Sequence, residues 1–375
     1  MEHEWDLSHF DSVMDMIVDV ATSRKIIVEK STVPCGNAQR VAKMVWRLSA
    51  LSFQSCCSYR AQLESKARPG ASFTVLSNPE FLSAGSAVQD LPDPYSVIIG
   101  SPSLHPRSDL DTSFLLSLYD SWIPEEKIRL MSTSSSELVK IANNAFQAQR
   151  ISSINSLSAI CELIGANILD LSQSLGMNPN IGPHYLRAGV GFGGSCLRKD
   201  TLGLSGIATN LFLPEVAAYW RQVVTINDFR IMRFTGKTCQ HGSMSSSRFV
   251  AILGFAFKKD TNDPRNSIAK DVILALLIEG ATVAVNDPLV SVEAIKSSFS
   301  PTDRVRVCHT PYEACIGAET IAILNDSVEY AQLNWERISA NMGGEKKVVI
   351  DGRNFVNDAK LEAFDLIVEK LVKPI

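Results

Sequence analysis

A cysteine in a glycine-rich run is the residue with the clearest capacity for chemistry. Cys196 follows four glycines in the run GVGFGGSCLRKD, and a helix is predicted to begin just after it. Glycines let a backbone approach a ligand closely, and a helix N-terminus together with a nearby lysine favours the thiolate. Lys199 and Asp200, three and four positions on, share the face above the thiol. These residues indicate either a nucleophile or a buried structural cysteine, and locally neither is preferred.

The same run contains a literal G-x-G-x-x-G at Gly189, Gly191 and Gly194. A dinucleotide-binding turn of this pattern must follow a strand, open a helix and precede an acidic residue by about 20 positions. The preceding GPHYLRA is not typical of a strand, and no carboxylate stands at 211–214. We therefore assign these glycines to the loop around the thiol and not to a cofactor turn.

Polar side chains also end two predicted strands. Ser31, Thr32 and Val33 follow a strand at 25–30, and Glu80 follows a strand at 73–77. Open α/β sheets bind ligands at the carboxyl ends of their strands. Glu80 has apolar neighbours, a setting that suits a carboxylate to acid–base work. The alternative for both clusters is a helix cap or a turn.

Further charged groups lie on the predicted long helix and after later strands. Lys140 and Asn144 share one face of that helix, although Glu137 with Lys140 could simply form a surface ion pair. Three cations could hold phosphates or remain as solvated charge: Lys258, Arg265 and Arg353. Cys308, His309 and Cys315 lack a second pair of ligands, so no metal site is predicted.

The elements that must position these residues alternate between strand and helix at both ends of the chain. This order predicts an α/β fold with two Rossmann-like parallel-sheet domains. One long helix at 134–165 joins them, and a shorter helix is predicted at 184–188. The expected domains are 1–133, a central helical domain at 134–240 and a third at 241–375. Residues 45–70 interrupt the first domain as an irregular insert, and 242–247 is a predicted linker.

Composition narrows the class of protein. The chain has 375 residues, with 36 Lys and Arg against 40 Asp and Glu, a net charge of −4. That balance argues against a nucleic-acid partner. The longest apolar stretch, 272–278, is far shorter than the ~20 residues needed to span a bilayer. The acidic, polar first residues do not form a secretory signal. We expect a cytoplasmic protein without membrane or nucleic-acid partners.

Taken together, the motifs resemble the nucleotide-sugar dehydrogenase family. The matching runs include EKSTVPCG, VLSNPEFL, GVGFGGSCLRKD, LPEVAAYW, FKKDTNDPR and VIDGR, in the family's order and across most of the chain outside 45–70. The resemblance implies an NAD-dependent oxidation of a sugar CH2OH to a carboxylate. The runs RISSINS and LPEVAAYW favour UDP-glucose as the substrate. Separately from the resemblance, the apolar positions of the long helix cover more than one stripe, which predicts self-association through that helix. These positions are Leu138, Ile141, Ala145, Ile151, Ile154, Leu157 and Ile160.

The resemblance also implies residue roles. Cys196 would carry a thiohemiacetal and then a thioester, with Glu80 as acid–base and Lys140 stabilising the oxyanion. Asn144, Asp200 and Thr32 would position the water and the hydroxyl. The residues that would contact substrate are Phe81, Leu82, Tyr185, Leu186, Arg187, Phe192, Gly193, Lys258 and Arg353. The residues that would line the cofactor side are Ser31, Thr32, Val33, Lys199 and Arg265.

The sequence departs from the family pattern in several places. The opening strand, G-x-G-x-x-G turn and acidic ribose-binding residue of the family have no counterpart here, so the first domain is expected to be incomplete. An N-terminal truncation or a faulty gene product, with an unspliced segment at 45–70, would account for this. Ala84 replaces a second Glu, and Asn180 replaces an Arg of animal-type members.

Three functions stay open at this stage. The first is a dehydrogenase acting on UDP-glucose, whose activity in this chain is in doubt. The second is a non-catalytic protein that binds nucleotide sugars or other subunits. The third is a dehydrogenase of another sugar nucleotide, such as UDP-N-acetylmannosamine or GDP-mannose, since those relatives share the cysteine motif.

Overall fold

The computed structural model describes residues 6–35, 37, 71–103, 105–240 and 248–371. The predicted insert at 45–70 and linker at 242–247 lie outside the described residues. The chain divides into two compact units, the first comprising Met1–Asn144 with Gly203–Ala217, and the second Ala145–Leu202 with Ala218–Ile375. Each unit is described by itself.

The first unit is built on a four-stranded sheet. Its strands, adjacent in this order, are β1 (Lys25–Glu29), β2 (Phe73–Ser77), β3 (Val97–Ser101) and β4 (Ile128–Ser132). The helices around it are α1 (Ser8–Val20), α2 (Ala87–Asp90) and α3 (Leu110–Tyr119), with 3-10 turns at Pro106–Ser108 and Glu125–Lys127. Alternate residues of β2 serve the two faces, because Val75 packs with α1 and Leu76 packs with α3.

One strand pair departs from the predicted parallel arrangement. β1 with β2 and β3 with β4 are parallel, as expected. β2 and β3 meet antiparallel at Ser77 and Gly100. A parallel neighbour requires a full crossover, and the segment between these strands contains only the four-residue helix α2. The chain therefore enters β3 in the reverse direction.

Four helices follow the first sheet. They are α4 (Thr133–Ile164), α5 (Ile168–Met177), α6 (Leu197–Asn210) and α7 (Pro214–Gln240). The long helix α4 has 32 residues, one earlier at each end than predicted, which makes it ~48 Å long. Gly165 follows it with φ 77°, the left-handed conformation that commonly ends a helix.

The helix predicted at 184–188 is wrong. Tyr185 adopts φ 61°, outside the helical region. The Arg150 guanidinium donates hydrogen bonds to the carbonyl oxygens of Ile181, Gly182 and His184, each at 2.8 Å. These carbonyl oxygens therefore accept hydrogen bonds from a side chain on α4, which stabilises residues 181–185 as a loop.

The second unit contains a six-stranded sheet in which every pair is parallel. Its strands are β5 (Phe249–Leu253), β6 (Thr282–Asn286), β7 (Val305–Val307), β8 (Thr320–Ile323), β9 (Val348–Asp351) and β10 (Ile367–Lys370). They lie in the order β10-β9-β8-β5-β6-β7. The strand order reverses between β5 and β8, and doubly wound sheets bind ligands beyond the carboxyl ends at such a point.

Helices cover both faces of this second sheet. They are α8 (Ile268–Ile278), α9 (Val292–Ser297), α10 (Pro311–Cys315), α11 (Val328–Ala331), α12 (Trp335–Asn341) and α13 (Asp358–Glu362). On β5, Val250 and Ile252 enter one buried cluster while Ala251 and Leu253 enter the other. The sheet is thus apolar on both sides, as its continuous hydrophobic strands predict.

The cysteine pair weighed as a metal site lies in this core. Cys308 and Cys315 are buried, and burial raises the pKa of both thiols, that of Cys315 to about 12. Among the described residues no group of three or more His, Cys, Asp and Glu is placed to hold a metal ion. No helix among the residues that the structure describes is long and apolar enough to cross a membrane.

Candidate active site

A carboxylate and a lysine form the centre of a polar cluster in the first unit. Glu80 lies just after β2, and its Oε1 accepts a hydrogen bond from Lys140 Nζ at 3.1 Å. Its Oε2 accepts from the Leu82 backbone N–H at 2.7 Å. The Lys140 ammonium also lies 5.3 Å from the centre of the Phe81 ring, within reach of a cation–π contact. The cluster can hold a carboxylate and a cation ready for proton transfer.

The buried face of α4 supports this cluster. Lys140 is 5% exposed and Asn144 is 7% exposed, so both point inward from the same face. Glu137 is also buried, at 2%. The alternative of a surface Glu137–Lys140 pair is therefore wrong. Burying a lysine costs desolvation energy, which its contact with Glu80 offsets in part.

The residues after β1 lie at the carboxyl end of that strand, as predicted. Ser31 is exposed, Thr32 half-buried and Val33 buried. The Asn78 backbone N–H donates to the Glu29 carbonyl at 2.8 Å, which brings the ends of β1 and β2 together. Leu82 is 36% exposed, so it leaves an apolar surface beside Glu80.

The thiol of the second unit stands at a helix N-terminus. Cys196 is exposed and immediately precedes α6, and its carbonyl accepts the Asp200 N–H at 2.9 Å. Asp200 is fully buried, whereas the Lys199 side chain is half exposed and its Nζ lies 3.8 Å from Asp200 Oδ1. An exposed thiol at this position matches the nucleophile rather than the buried structural cysteine.

The glycine loop passes directly over the segment after β5. Gly194 adopts φ 88°, and a Cβ there would lie 2.7 Å from Cδ2 of Phe257. Any larger residue would displace the ring or the loop. The next side chain, Lys258, is half-buried with its Nζ 5.9 Å from the centre of the Phe257 ring. Both the loop and Lys258 therefore lie close to the Phe257 ring.

Arg265 also belongs to the surroundings of the thiol. Its guanidinium pairs with Asp263, with Nη2 2.8 Å from Oδ2. This hydrogen bond and the Asp263 charge raise the pKa of Arg265, and the neighbouring Cys196 adds to the rise. Arg265 is exposed, so it can meet an anion approaching Cys196.

A second cationic group lies beyond the carboxyl ends of β8 and β9. Arg353 Nε donates to the Leu324 carbonyl at 2.6 Å. Arg187 donates to the Arg353 carbonyl at 2.8 Å and pairs with Asp326 at 3.2 Å. Burial lowers the pKa of Arg353, and Asp326 opposes that effect. These groups occupy the carboxyl edge of the sheet, where the fold predicts anion binding.

The remaining predicted contacts lie in the loop at 185–193. Tyr185 is 46% exposed, and partial burial raises the pKa of its hydroxyl. Leu186 and Phe192 are buried at 7% and 6%. Leu186 packs under α4 and α5, and Phe192 packs against Ala148 and Val223. These two side chains therefore anchor the loop in buried apolar clusters.

Three buried polar residues that hold the loop were missed by sequence reasoning. Asn155 on α4, and Asn227 and Arg230 on α7, are each 1% exposed. Their only signal in the sequence is a polar side chain on the apolar face of a helix. Such positions must be paired, but a single sequence does not reveal the partner.

The fold and the thiol site define a class of protein, an α/β protein with an exposed cysteine at a helix N-terminus. Sequence profiles of the UDP-glucose/GDP-mannose dehydrogenase family match three parts of the chain. The NAD binding domain matches residues 1–123, the central domain 134–229 and the UDP binding domain 251–358.

Individual relatives agree with these profiles. UDP-glucose 6-dehydrogenase 1 of Glycine max is 39% identical over 99% of this chain and 77% of its own length. The Drosophila melanogaster UDP-glucose 6-dehydrogenase is 38% identical over 98% of this chain and 75% of its own. A UDP-glucose dehydrogenase structure from Pyrobaculum islandicum matches with a TM-score of 0.78 and 28% identity, over 98% of this chain and 76% of that one. The chain belongs to the UDP-glucose/GDP-mannose dehydrogenase family, and its cofactor class is NAD.

One sequence feature that is typical of NAD-binding domains does not occur in residues 1–133. Residues 1–133 contain four glycines, at 36, 70, 85 and 100, and no G-x-G-x-x-G turn. A pyrophosphate is normally held by backbone N–H groups at such a turn and at the helix N-terminus after it. Ser31, Thr32 and Val33 supply a strand end but not that turn.

Proposed function

We propose that the chain catalyses the NAD-dependent oxidation of UDP-glucose to UDP-glucuronate. The observation that carries the proposal is the exposed Cys196 thiol just before α6. It lies on a glycine loop that packs against Phe257, in the segment after β5. The curated relatives named UDP-glucose 6-dehydrogenase support the choice of sugar. NAD, when bound, accepts the hydrides of the two oxidations.

The residues of the chain perform the remaining steps in this proposal. The Cys196 sulfur adds to the C6 aldehyde and forms a thiohemiacetal, whose oxidation leaves a thioester. Water then cleaves the C–S bond, which releases the carboxylate and returns the thiolate. Glu80 serves as acid–base for that water, and its contact with Lys140 supports this role. Lys140 stabilises the oxyanion, and Thr32, Asn144 and Asp200 position the hydroxyl and the water.

Substrate contacts in the proposal follow the two groups of cations. Lys258 and Arg353 hold anionic groups of UDP-glucose at the carboxyl edge of the second sheet. The sugar and the uracil lie along the loop from Tyr185 to Gly193, with Leu186, Arg187 and Phe192 shaping it. Phe81 and Leu82 contribute apolar contact, and Lys199 and Arg265 serve the cofactor side with Ser31, Thr32 and Val33. The functional domains are proposed as 1–133, 134–240 and 241–375, and the cytoplasmic location stays a prediction.

UDP-glucose binding is expected even if turnover is slow. Replacing Arg353 by Ala should weaken UDP-glucose binding by roughly 10- to 100-fold, since a hydrogen bond to a charged group contributes about 1.5–3 kcal/mol. Isothermal titration calorimetry with UDP-glucose measures the change. Arg304→Ala is a matched control, because Arg304 is exposed and bonds the Leu277 carbonyl in the same unit. Equal affinities for both variants and the unsubstituted chain would remove Arg353 from the site.

Self-association through α4 is a further part of the proposal. Several of its apolar residues are strongly exposed, including Phe146 at 58%, Ile160 at 53% and Leu163 at 75%. Ile141, Ala145 and Ile154, predicted as part of the same interface, are instead buried in the single chain. Only the exposed set is therefore available to a partner subunit.

Sedimentation velocity at micromolar concentration should show a dimer or a larger oligomer. Leu163→Glu should weaken self-association by about tenfold or more, because it places a charge in an apolar contact. Ser153→Glu is a control on an exposed position of the same helix. A stable monomer for the unsubstituted chain at this concentration contradicts the proposed interface.

A second candidate function is binding of nucleotide sugars without turnover. The cations Lys258 and Arg353 of the second unit support it, because contacts between them and a nucleotide sugar do not require a bound cofactor. The two functions differ in one measurement, the formation of UDP-glucuronate from UDP-glucose and NAD.

A further inference from the structure

The backbone of the thiol loop, residues 189–196, is held at Gly189 and at Phe192 by buried side chains of two long helices. The Gly189 N–H donates to Asn155 Oδ1 at 2.9 Å, and the Gly189 carbonyl accepts from Arg230 Nε at 3.0 Å. The Phe192 N–H donates to Asn227 Oδ1 at 2.8 Å, and Asn227 Nδ2 donates back to the Phe192 carbonyl at 3.1 Å. Both peptide groups are thus satisfied by side chains rather than by a strand or a helix.

This arrangement answers a requirement set by the sequence. The glycines of this run have no side chains that could pack against neighbouring elements, so at those residues only the backbone N–H and carbonyl groups can be held. Buried peptide groups must be paired, and pairing them to side chains of fixed rotamer also fixes the loop. Gly191 brings the contact close, because a Cβ at that residue would lie 2.7 Å from Asn227 Oδ1.

Asn227 is well suited to this contact. Its amide offers one acceptor and one donor, and the N–H and the carbonyl of Phe192 use one of each. An aspartate of the same shape could still accept from the N–H but would set a second oxygen against the Phe192 carbonyl. The site therefore distinguishes Asn from Asp, which simple filling of space would not do.

Arg230 is fixed in turn by charge. Its Nη1 lies 2.8 Å from Glu162 Oε1, and Arg233 Nε lies 2.8 Å from Glu162 Oε2. The side chains of Arg230 and Glu162 are 1% and 3% exposed. A buried ion pair of this kind adds little net stability but resists displacement, because separating the charges is costly. It makes the Gly189 end of the loop rigid.

We propose that Asn227, assisted by Asn155 and Arg230, is a positioning residue that fixes the glycine loop at 189–196. It thereby sets the position of Cys196 relative to the proposed sugar contacts at 185–193. The inference rests on the proposed function for the identity of the substrate. The mechanical part, that these side chains order residues 189–196, does not require any substrate.

Two substitutions and one control test the proposal. Asn227→Ala removes both contacts with Phe192, and Asn227→Asp keeps one of them. Thr225→Ala is the matched control, because Thr225 is exposed on the same helix and bonds only the Arg221 carbonyl there among the described contacts. If Asn227→Ala does not fold, Gly191→Ala perturbs the same contact from the loop side.

The first measurement needs no substrate. Hydrogen–deuterium exchange should accelerate by about tenfold in peptides covering 189–196 of Asn227→Ala, which corresponds to the loss of about 1–2 kcal/mol of hydrogen bonding. The acceleration should be smaller for Asn227→Asp and absent for Thr225→Ala. Unchanged exchange in 189–196, or an equal rise throughout the second unit, overturns the proposal.

The second measurement separates positioning from general stability. UDP-glucose affinity should fall by about tenfold in Asn227→Ala at a temperature where the variant is fully folded, and UDP-glucose should protect Cys196 from iodoacetamide less than in the unsubstituted chain. If the loop of a variant exchanges faster but UDP-glucose affinity and protection of Cys196 from iodoacetamide are undiminished, the proposal that Asn227 positions Cys196 is overturned. If the unsubstituted chain binds no UDP-glucose, the proposed function falls, and the exchange result alone decides the ordering of the loop.

Discussion

Titration of the 375-residue chain with NAD is expected to give binding roughly a thousandfold weaker than that of an enzyme with a strand–G-x-G-x-x-G–helix turn. Such a turn donates about three backbone hydrogen bonds to the pyrophosphate, each contributing about 1.5 kcal/mol to a charged group. Their loss corresponds to a factor of about 10³. Residues 1–133 contain no such turn, and the literal match at Gly189–Gly194 lies over Phe257 in the thiol loop.

Calorimetry with NAD and, separately, with UDP-glucose measures this difference on one preparation. The affinity for UDP-glucose should not be reduced in the same way, because Lys258 and Arg353 follow strands β5 and β9 of the second sheet. NADH formation at submillimolar NAD should be very slow for the same reason that NAD binds weakly. Micromolar NAD affinity, or turnover near that of a relative with the full turn, would contradict the expectation.

The state of the protein must be monitored in that experiment. Within the described residues β1 is an edge strand, hydrogen-bonded to β2 on one side only. Its central residues Ile26, Ile27 and Val28 are half-buried and apolar. Edge strands of this kind favour association through their free backbone groups. Sedimentation before each titration distinguishes weak binding from a loss of folded protein.

Local patterns in the sequence were sufficient to predict most of the fold. β2 occupies the predicted residues, and α4 differs from its prediction by one residue at each end. These elements are long or bounded by clear turn residues, and their hydrophobic period is unambiguous. The parallel order of the second sheet follows from alternating strands and helices.

Features that depend on distant residues were not predictable in the same way. The direction of β3 depends on the short connection from β2, and the loop at Tyr185 depends on Arg150, more than 30 positions away. Asn227 is meaningful only because Phe192 lies opposite it. Glu80 and Lys140 were both selected from the sequence, but their contact at 3.1 Å requires the first unit to be folded.

Replacing Cys196 by Ser is expected to stop the release of UDP-glucuronate. A serine alkoxide is a poorer nucleophile at neutral pH and a poorer leaving group than a thiolate, so any ester that forms should hydrolyse slowly. Glucuronate release should fall below about 1% of the unsubstituted rate, the scale of loss that follows removal of a nucleophile. Substrate binding should change little, since the cations of the second sheet are untouched.

The assay uses NAD at tens of millimolar, on the order needed to offset weak binding, and chromatographic detection of UDP-glucuronate over hours. Cys239→Ser is the control, because Cys239 is a half-buried thiol of the same unit. Burial raises the pKa of this thiol, which disfavours the nucleophilic thiolate. That variant should keep the unsubstituted rate. Undiminished steady-state release by Cys196→Ser would exclude Cys196 as the nucleophile, and would leave the glycine loop as a binding element only.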